Sequence, residues 1–282
     1  MKKTQILWVS PTLPVPVTAG NRRHLNYLIS DAKRHGAEID FLLYGWETEA
    51  KKFRLELESM FNRYISIPQP TTKTMSFLDY WGIDDWVSTE LLSGIVEFTK
   101  GHDYEVVFVE YAWLSKVFEL FDSSVVKVID THDVFSNRDA LLESQGIEKQ
   151  WFYTRENEES AGLARADIVL GITTTDCDFF RKALLKRNAV TKVLPCGTGI
   201  ATRTASTFNV SNTKREICFG YLASSNAINK EAARRFFSVL NEYDIKDSGF
   251  HFNIGGAITS QMGDYENLKV FKKGYVKDPE SF

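Results

Sequence analysis

Two apolar runs in the middle of the chain constrain its fold more than any other feature. Residues 104–114 read YEVVFVEYAWL and residues 124–134 read SVVKVIDTHDV. In both runs apolar residues follow one another instead of alternating with polar ones, and polar residues bound each run. This pattern is typical of strands that are covered on both faces, as in a parallel sheet.

Strand and helix patterns alternate along the first 200 residues. The other predicted strands are residues 4–10, 37–45, 63–70, 167–176 and 189–200. The predicted helices are residues 21–36, 47–62, 148–166 and 177–188, with two helical pieces within 71–103. Strands joined by helices of this length form right-handed crossovers. We therefore expect an α/β fold with a doubly wound parallel sheet, that is, a Rossmann-like domain.

A change of composition at residues 201–215 predicts a domain boundary. This stretch is rich in Thr, Ser and Asn and has no hydrophobic period, which indicates a linker. After it the pattern of strands and helices resumes, at residues 216–223, 229–243, 249–257 and 268–276. We predict an N-terminal domain over residues 1–200 and a second Rossmann-like domain over 216–282. The second domain is expected to be incomplete, because a Rossmann sheet has about five or six strands.

Composition argues against several classes of function. The chain of 282 residues has 34 basic and 37 acidic side chains and no dense Lys/Arg tract, so no nucleic-acid partner is expected. The apolar run Ile6–Val9 is too short for a signal peptide, and no stretch approaches the roughly 18 apolar residues of a membrane span. We therefore expect a cytoplasmic protein. The three cysteines are widely spaced without a CxxC motif, which argues against a disulfide framework and a cysteine-based zinc site.

Three titratable residues, Asp130, His132 and Asp133, stand near the end of the predicted strand 124–134. Open α/β sheets bind ligands at the carboxyl ends of their strands. A histidine there suits a general base or a hydrogen-bond partner of a sugar hydroxyl. A structural histidine beside an aspartate is the alternative. A metal site is not expected, because the stretch lacks a second histidine or a carboxylate pair at ligand spacing.

Glycines lie in loops beside several predicted strands. Gly20 opens helix 21–36, where backbone N–H groups and the helix dipole favour an anion. The loop carries neither GxGxxG nor GK[ST], which argues against a dinucleotide fingerprint or a P-loop. Gly197 and Gly199 suit a hinge or a phosphate contact, and the pair at 255–256 suits close approach to a ligand. Ordinary turns are the alternative for Gly20 and for this pair.

Aromatic residues cluster at Tyr80, Trp81 and Trp86. Flat rings stack on the faces of sugars, so this cluster is a candidate acceptor-binding lip, with packing between helices as the alternative. In the predicted helix 148–166, Glu158 and Glu159 are expected on the solvated face, with one carboxylate turned into a cleft as the alternative.

Taken together and in their order, these stretches resemble the retaining glycosyltransferases of family 4, which have the GT-B fold. The resemblance is carried by PTLPVPVTAGNRRHLNYL, VIDTHDVFSNRD, ENEESAGLARADIVLGITTTDCDFF, VLPCGTGI, ICFGYLASSNAINKEAARRFF, FHFNIGGA and NLKVFKKGYV. These stretches span nearly the whole chain. The ordered set is more specific than any of its members.

The resemblance implies two Rossmann-like domains that face a cleft. The implied activity moves a sugar from a nucleotide-sugar donor to a glycan, lipid-linked or other acceptor in polysaccharide biosynthesis, with no metal and no further cofactor. Peripheral association with a membrane is compatible with it. The implied catalytic residues are His132 and Asp133. The implied donor-binding residues are Gly20, Asn21, Gly197, Gly220, Gly255 and Gly256. The implied acceptor-binding residues are Tyr80, Trp81, Glu110 and Arg138.

The sequence departs from the family pattern in two places. The basic pair that follows the first strand of the second domain is not evident in FGYLASSNAINKEA. The family's acidic ExxxxxxxE stretch belongs after GYVKDPESF, where this sequence stops, so residues 1–282 alone are expected to transfer weakly or not at all. Two alternatives stay open. One is a non-catalytic module that binds a glycan or a nucleotide; the other is a nucleotide-sugar epimerase of the same fold, which calls for a richer set of acid and base groups.

Overall fold

The structure is a computed structural model that describes residues 3–45, 51–149, 152–197 and 217–276. It divides into two compact units. The first unit comprises Met1–Leu141 and Gln150–Ala201, and the second comprises Leu142–Lys149 and Thr202–Phe282. The predicted linker 201–215 and Gly199 lie outside the described residues.

A sheet of seven parallel strands forms the centre of the first unit, in the order β3–β2–β1–β4–β5–β6–β7. The strands are β1 Thr4–Ser10, β2 Ala37–Gly45, β3 Arg63–Pro68, β4 Val106–Glu110, β5 Val126–Asp130, β6 Ile168–Gly171 and β7 Lys192–Pro195. The helices are α1 Gly20–Arg34, α2 Arg54–Met60, α3 Thr89–Thr99, α4 Arg138–Ser144, α5 Glu156–Leu163 and α6 Thr174–Lys186, with a 3₁₀ helix at Ala112–Leu120. The predicted doubly wound parallel sheet is confirmed.

The direction of winding reverses between β1 and β4, which are neighbours in the sheet. In sheets of this kind the crevice outside the carboxyl ends of the strands at this switch point is the usual ligand site. Strand β1 has apolar side chains on both faces: Leu7 and Val9 enter one core, and Ile6 and Trp8 enter the other. Each such fully buried side chain contributes roughly 1.5–3 kcal/mol to stability. The switch point is therefore held by a well-packed central strand.

Two predicted helical regions are shorter in the structure. Residues 71–88 form turns instead of a helix, because the Asp85 carboxylate accepts the backbone N–H groups of Ser76 at 2.8 Å and Gly82 at 2.7 Å. The helix predicted at 148–166 is confined to α5. Before α5, Thr154 forms a β-bridge with Ser136. The backbone at Thr154 is therefore extended and does not continue the helix.

The second unit has a sheet of three parallel strands in the order β10–β9–β8. Its elements are β8 Ile217–Leu222, α7 Ala227–Asn241, β9 Phe250–Gly255, a 3₁₀ helix Ala257–Gln261 and β10 Val270–Gly274. Phe237 of α7 packs against Phe252 and Ile254 of β9. The three predicted strands are confirmed. Among the described residues of both units, no helix combines the length and the apolar character needed to cross a bilayer.

Candidate active site

Two buried carboxylates lie side by side where the central strands of the first unit end. Glu110 closes β4, Asp130 closes β5, and the two are register partners in the sheet. Both are 0% exposed. Beyond the strands the chain turns sharply, because Tyr111 and His132 adopt φ values of 69° and 58°. The left-handed region is uncommon for residues other than glycine and clusters at functional sites.

A chain of hydrogen bonds links the switch-point strands through Glu110. The Trp8 indole donates from Nε1 to Glu110 Oε1 at 2.8 Å. The other carboxylate oxygen, Oε2, lies 2.5 Å from His132 Nε2. The imidazole of His132 stacks on the Tyr111 ring, with centroids 4.3 Å apart. These contacts fix both the position and the ring plane of His132.

A second imidazole comes from α1. His24 is 5% exposed, and its Nε2 lies 2.8 Å from Asp130 Oδ2. The contact is an ion pair when His24 is protonated. The two imidazole rings meet edge to face at 5.3 Å. Two carboxylates and two imidazoles, from Glu110, Asp130, His24 and His132, thus form one group, which we call the switch-point cluster.

Burial and charge act against each other in the switch-point cluster. Burial raises the pKa of Glu110, and the charge of Asp130 adds to this rise. Burial alone would lower the pKa of His132, but its hydrogen bond to Glu110 and the charge of Asp130 outweigh this and raise it. His24 behaves in the same way beside Asp130. For Asp130 the two imidazoles overcome burial, and its pKa is lowered. The cluster therefore combines a carboxylate whose pKa is lowered with two imidazoles whose pKa values are raised.

The ligand atoms of Glu110, Asp130 and His132 all lie within 4.8 Å of one another, which raises the question of a metal ion. Their arrangement is that of a hydrogen-bonded group. The 2.5 Å contact between His132 and Glu110 is too short for two ligands of one ion, because ligands at about 2 Å from a tetrahedral zinc lie more than 3 Å apart. We therefore treat these side chains as sharing protons with one another.

The residues beside the cluster on the same loops are more accessible. Asp133 has a side chain that is 59% exposed and pairs loosely with Arg138 at 3.4 Å. Asn21, the second residue of α1, donates from Nδ2 to the Tyr111 hydroxyl at 3.2 Å. The structure thus brings the predicted residues Asn21, His132, Asp133 and Arg138 to one edge of the sheet. Glu110 lies beneath them and has no exposed surface. Its carboxylate would therefore influence an acceptor only through its hydrogen bond to His132.

The five glycines among the predicted donor-binding residues differ in whether the local backbone and packing require a glycine. A Cβ at Gly20 would meet nothing within 4 Å, and Gly20 does not have a positive φ, so local packing does not demand glycine there. Gly197 is exposed and has the same freedom among the described residues. Gly256 has φ 87°, and a Cβ would lie 2.3 Å from the Ala223 carbonyl oxygen, so its glycine is structural. Gly255 ends β9, and Gly220 lies on exposed β8.

The predicted aromatic lip divides into a surface part and a core part. Tyr80 is half-buried; Phe77 stacks on its ring at 4.3 Å, and the Arg155 guanidinium lies 5.0 Å from its centroid. Trp81 and Trp86 instead pack against the main core of the first unit. The packing alternative therefore describes Trp81 and Trp86, and Tyr80 is the one member of the cluster that lies at the surface beside Phe77 and Arg155.

Glu159 was expected on a solvated face, and this expectation is wrong. Its side chain is buried, and its carboxylate accepts the backbone N–H groups of Phe135 and Ser136, both at 2.9 Å, and the Ser136 hydroxyl. Burial raises its pKa to about 6, although these donors favour the ionised form. Glu159 thereby tethers the loop that carries His132 and Asp133.

Sequence reasoning also missed His24, which it left within an amphipathic helix. The signal was present in the helical spacing. His24 falls on the same side of α1 as Leu25 and Ile29, which are buried, and buried polar residues on an apolar face need a partner.

Comparison with solved structures identifies the architecture. The chain is similar to sucrose-phosphate synthase from Thermosynechococcus elongatus, with a TM-score of 0.60, 12% identity, and coverage of 97% of this chain and 71% of that one. TarM matches with a TM-score of 0.60 at 10% identity, covering 99% of this chain and 78% of its own. A putative UDP-N-acetylglucosamine 2-epimerase from Listeria monocytogenes matches with a TM-score of 0.52 at 9% identity, covering 96% and 69%.

These likenesses establish the fold, which is of the GT-B type, with Rossmann-like domains as expected from the sequence. No protein-family model matches the sequence, and no curated protein matches it.

Proposed function

We propose that the protein is a glycosyltransferase that moves a sugar from a nucleotide-sugar donor to a glycan, lipid-linked or other acceptor, with retention of configuration. The observation that carries the proposal is the switch-point cluster, four buried titratable side chains at the ligand-binding edge of a GT-B fold. Desolvation of buried ions costs several kcal/mol each even when they are paired, so a site of this kind lowers the stability of the fold. Perturbed titratable groups of this sort mark functional sites.

The chemistry of the cluster suits departure of a nucleoside diphosphate. In glycosyl transfer the bond between the anomeric carbon and the phosphate oxygen breaks, and negative charge grows on the leaving diphosphate. In our proposal His132, whose pKa Glu110 and Asp130 raise, presents positive charge or a hydrogen bond to the reacting sugar or its leaving group. The open space beside Gly20, at the start of α1, gives the donor phosphates room near backbone N–H groups.

The remaining predicted residues complete the proposed roles. Asp133, which is exposed, and Arg138, which is partly buried, are proposed to orient the sugar and the acceptor. Tyr80, with its half-buried ring beside Arg155, is proposed to stack on the acceptor. A role in polysaccharide biosynthesis and a cytoplasmic location accompany this proposal.

Nucleotide release from a panel of UDP-glucose, UDP-N-acetylglucosamine and GDP-mannose tests the proposal, with glycan acceptors present and a blank without protein. His132→Asn is the informative variant, because asparagine tolerates the left-handed backbone found there. His102→Asn, at an exposed site, is the matched control. We expect release to fall at least about tenfold in His132→Asn only. Equal rates in both variants would remove His132 from the mechanism, and the anomeric configuration of the product tests retention.

The switch-point cluster also favours a second candidate, a nucleotide-sugar epimerase. The sequence displayed too few acid and base groups for that reaction, but the structure brings His24, Glu110, Asp130 and His132 together. One of the similar structures bears the name of a UDP-N-acetylglucosamine 2-epimerase. NMR of UDP-N-acetylglucosamine incubated with the protein separates the candidates: inversion at C2 without an acceptor supports the epimerase, and acceptor-dependent transfer supports the transferase. Binding without either reaction would indicate a non-catalytic module.

A further inference from the structure

The Asp130 carboxylate is shared between two imidazoles that approach it from different elements. His24 Nε2, from α1, lies 2.8 Å from Asp130 Oδ2. His132 Nε2, from the loop after β5, lies 3.5 Å from the same oxygen. The Asp130 side chain is fully buried, and both contacts reach the same carboxylate oxygen. The two imidazoles, when protonated, balance the charge on Asp130 and lower its pKa in spite of burial.

The balance gives the two neighbours of His132 opposite effects. A carboxylate at Asp130 stabilises the protonated form of His132, whereas a protonated His24 destabilises it. The ring centroids of His24 and His132 are 5.3 Å apart, so these effects act at short range and away from bulk water. Unit charges at such distances interact by more than the thermal energy even at a high effective dielectric constant.

We propose that His24 is a positioning residue that, together with Asp130, sets the charge on His132. The inference rests on the proposed function, in which His132 meets the donor sugar. It adds the residue that regulates this site and the route by which it acts. His24 does not have to touch the substrate, because it lies at short range from the His132 ring and pairs with the carboxylate that both imidazoles share.

Other titratable side chains also surround His132, and they come from several elements. Glu110, on β4, is hydrogen bonded to Nε2. Tyr111 stacks on the ring, and burial raises the pKa of its phenol, so it stays neutral. Cys196, which follows β7, has a pKa raised to about 12 by burial and by the charges of Asp130 and Glu110, so it also stays neutral. Asp133, the next residue, has an exposed side chain.

The test is a pH titration of the histidine ring signals by NMR. The protein has five histidines, so each signal can be assigned by one substitution. His24→Gln removes the repelling cation, and we expect the midpoint of His132 to rise by about one pH unit or more. Asp130→Asn removes the attracting charge, and we expect the midpoint to fall by a similar amount. His35→Gln, on the exposed end of α1, should leave the His132 titration unchanged.

The His132 midpoint is expected to rise in one variant and fall in the other. A general loss of packing would instead move the midpoint in the same direction in both variants. Shifts of one sign, or no shift in either variant, would overturn it. The unmodified protein provides a second measurement that needs no variant: the His132 signal should show an inflection at the pH at which His24 titrates, and independent single-step curves would contradict the proposal. Both readouts are independent of turnover. A failure to turn over nucleotide sugars would therefore count against the proposed function and not against the coupling.

Discussion

The carboxyl edges of the two sheets are built on one plan, parallel strands followed by turns, but they bury different chemistry. In the first unit β4 and β5 end in Glu110 and Asp130, which meet two buried imidazoles. In the second unit β9 ends in Gly255, followed by Gly256 in a left-handed turn. Within the described residues 217–276, no charged side chain and no histidine is buried.

This difference separates two uses of the same kind of edge. A buried cluster of four titratable groups weakens a fold unless another need retains it, because desolvation costs several kcal/mol per ion. The glycines of the second unit instead allow close backbone packing at almost no electrostatic cost. In our proposal, the acid and base chemistry of the reaction therefore belongs to the first unit.

The largest expected effect comes from breaking the cluster. Glu110→Ala leaves His132 and the Trp8 indole without their buried acceptor, so the free energy of unfolding should fall by about 3–5 kcal/mol. Urea unfolding followed by tryptophan fluorescence measures this for the first unit alone, because all six tryptophans precede residue 152. Glu97→Ala, on an exposed face of α3, should change stability by less than about 0.5 kcal/mol. A loss below about 1 kcal/mol for Glu110→Ala would show that the cluster is not a coupled unit.

A pair of glycine substitutions tests the other side of the comparison. Gly256→Ala places a methyl group 2.3 Å from the Ala223 carbonyl oxygen at φ 87°, and should destabilise the second unit by about 2–3 kcal/mol. Gly20→Ala meets open space at the start of a helix and should leave stability within about 0.5 kcal/mol. Amide hydrogen exchange in β9 and in α1 measures the two effects separately. Equal losses would contradict the distinction between a structural and a free glycine.

The buried Glu159 predicts a pH dependence confined to the first unit. Burial raises its pKa from 4.5 to about 6, so the folded state binds more protons than the unfolded state between these values. Its contribution to stability is complete below about pH 4.5 and is lost as the pH rises to about 6, by roughly 2 kcal/mol. Glu159→Gln should flatten this part of the curve of tryptophan-detected stability against pH, whereas Glu97→Gln should not. An unchanged slope in Glu159→Gln would place the titration elsewhere.

The last prediction concerns one hydrogen bond at the rim of the cluster. Trp8→Phe keeps an aromatic ring stacked on Phe108 but removes the Nε1 donor to Glu110. The free energy of unfolding should fall by about 1–3 kcal/mol, and within this range the loss should be smaller than for Glu110→Ala. Trp81→Phe, at a ring packed against the core, is the matched control. A larger loss than for Glu110→Ala would show that Trp8 stabilises the unit mainly by packing.

The strands of both units and the polar end of β5 could be predicted from the sequence, because continuous apolar runs and the VIDTHD stretch are local signals. The cluster could not be predicted in full. Its members come from β4, β5, the loop after β5 and α1, and only the strand order places Glu110 beside Asp130. Glu159 was misplaced for a similar reason, since its partners are backbone N–H groups of a loop more than 20 residues away.

The two helical overpredictions have a different cause. Residues 71–88 contain apolar side chains in a proportion typical of helices. The Asp85 carboxylate, however, accepts two backbone N–H groups and stabilises turns. Aspartate competes for backbone groups in this way in many turns. Helix propensity alone does not show whether such backbone N–H groups bond within a helix or to an aspartate side chain in a turn.

The most direct test of the central claim uses the histidine ring signals again, now with a donor added. UDP-glucose, UDP-N-acetylglucosamine and GDP-mannose are titrated into the protein, and binding is followed independently by calorimetry. At saturation with the preferred nucleotide sugar, the His132 signal should shift, while the signals of His35 and His102, which are exposed, should stay in place. A saturated complex in which His132 does not move would contradict the assignment of the reacting edge to the first unit.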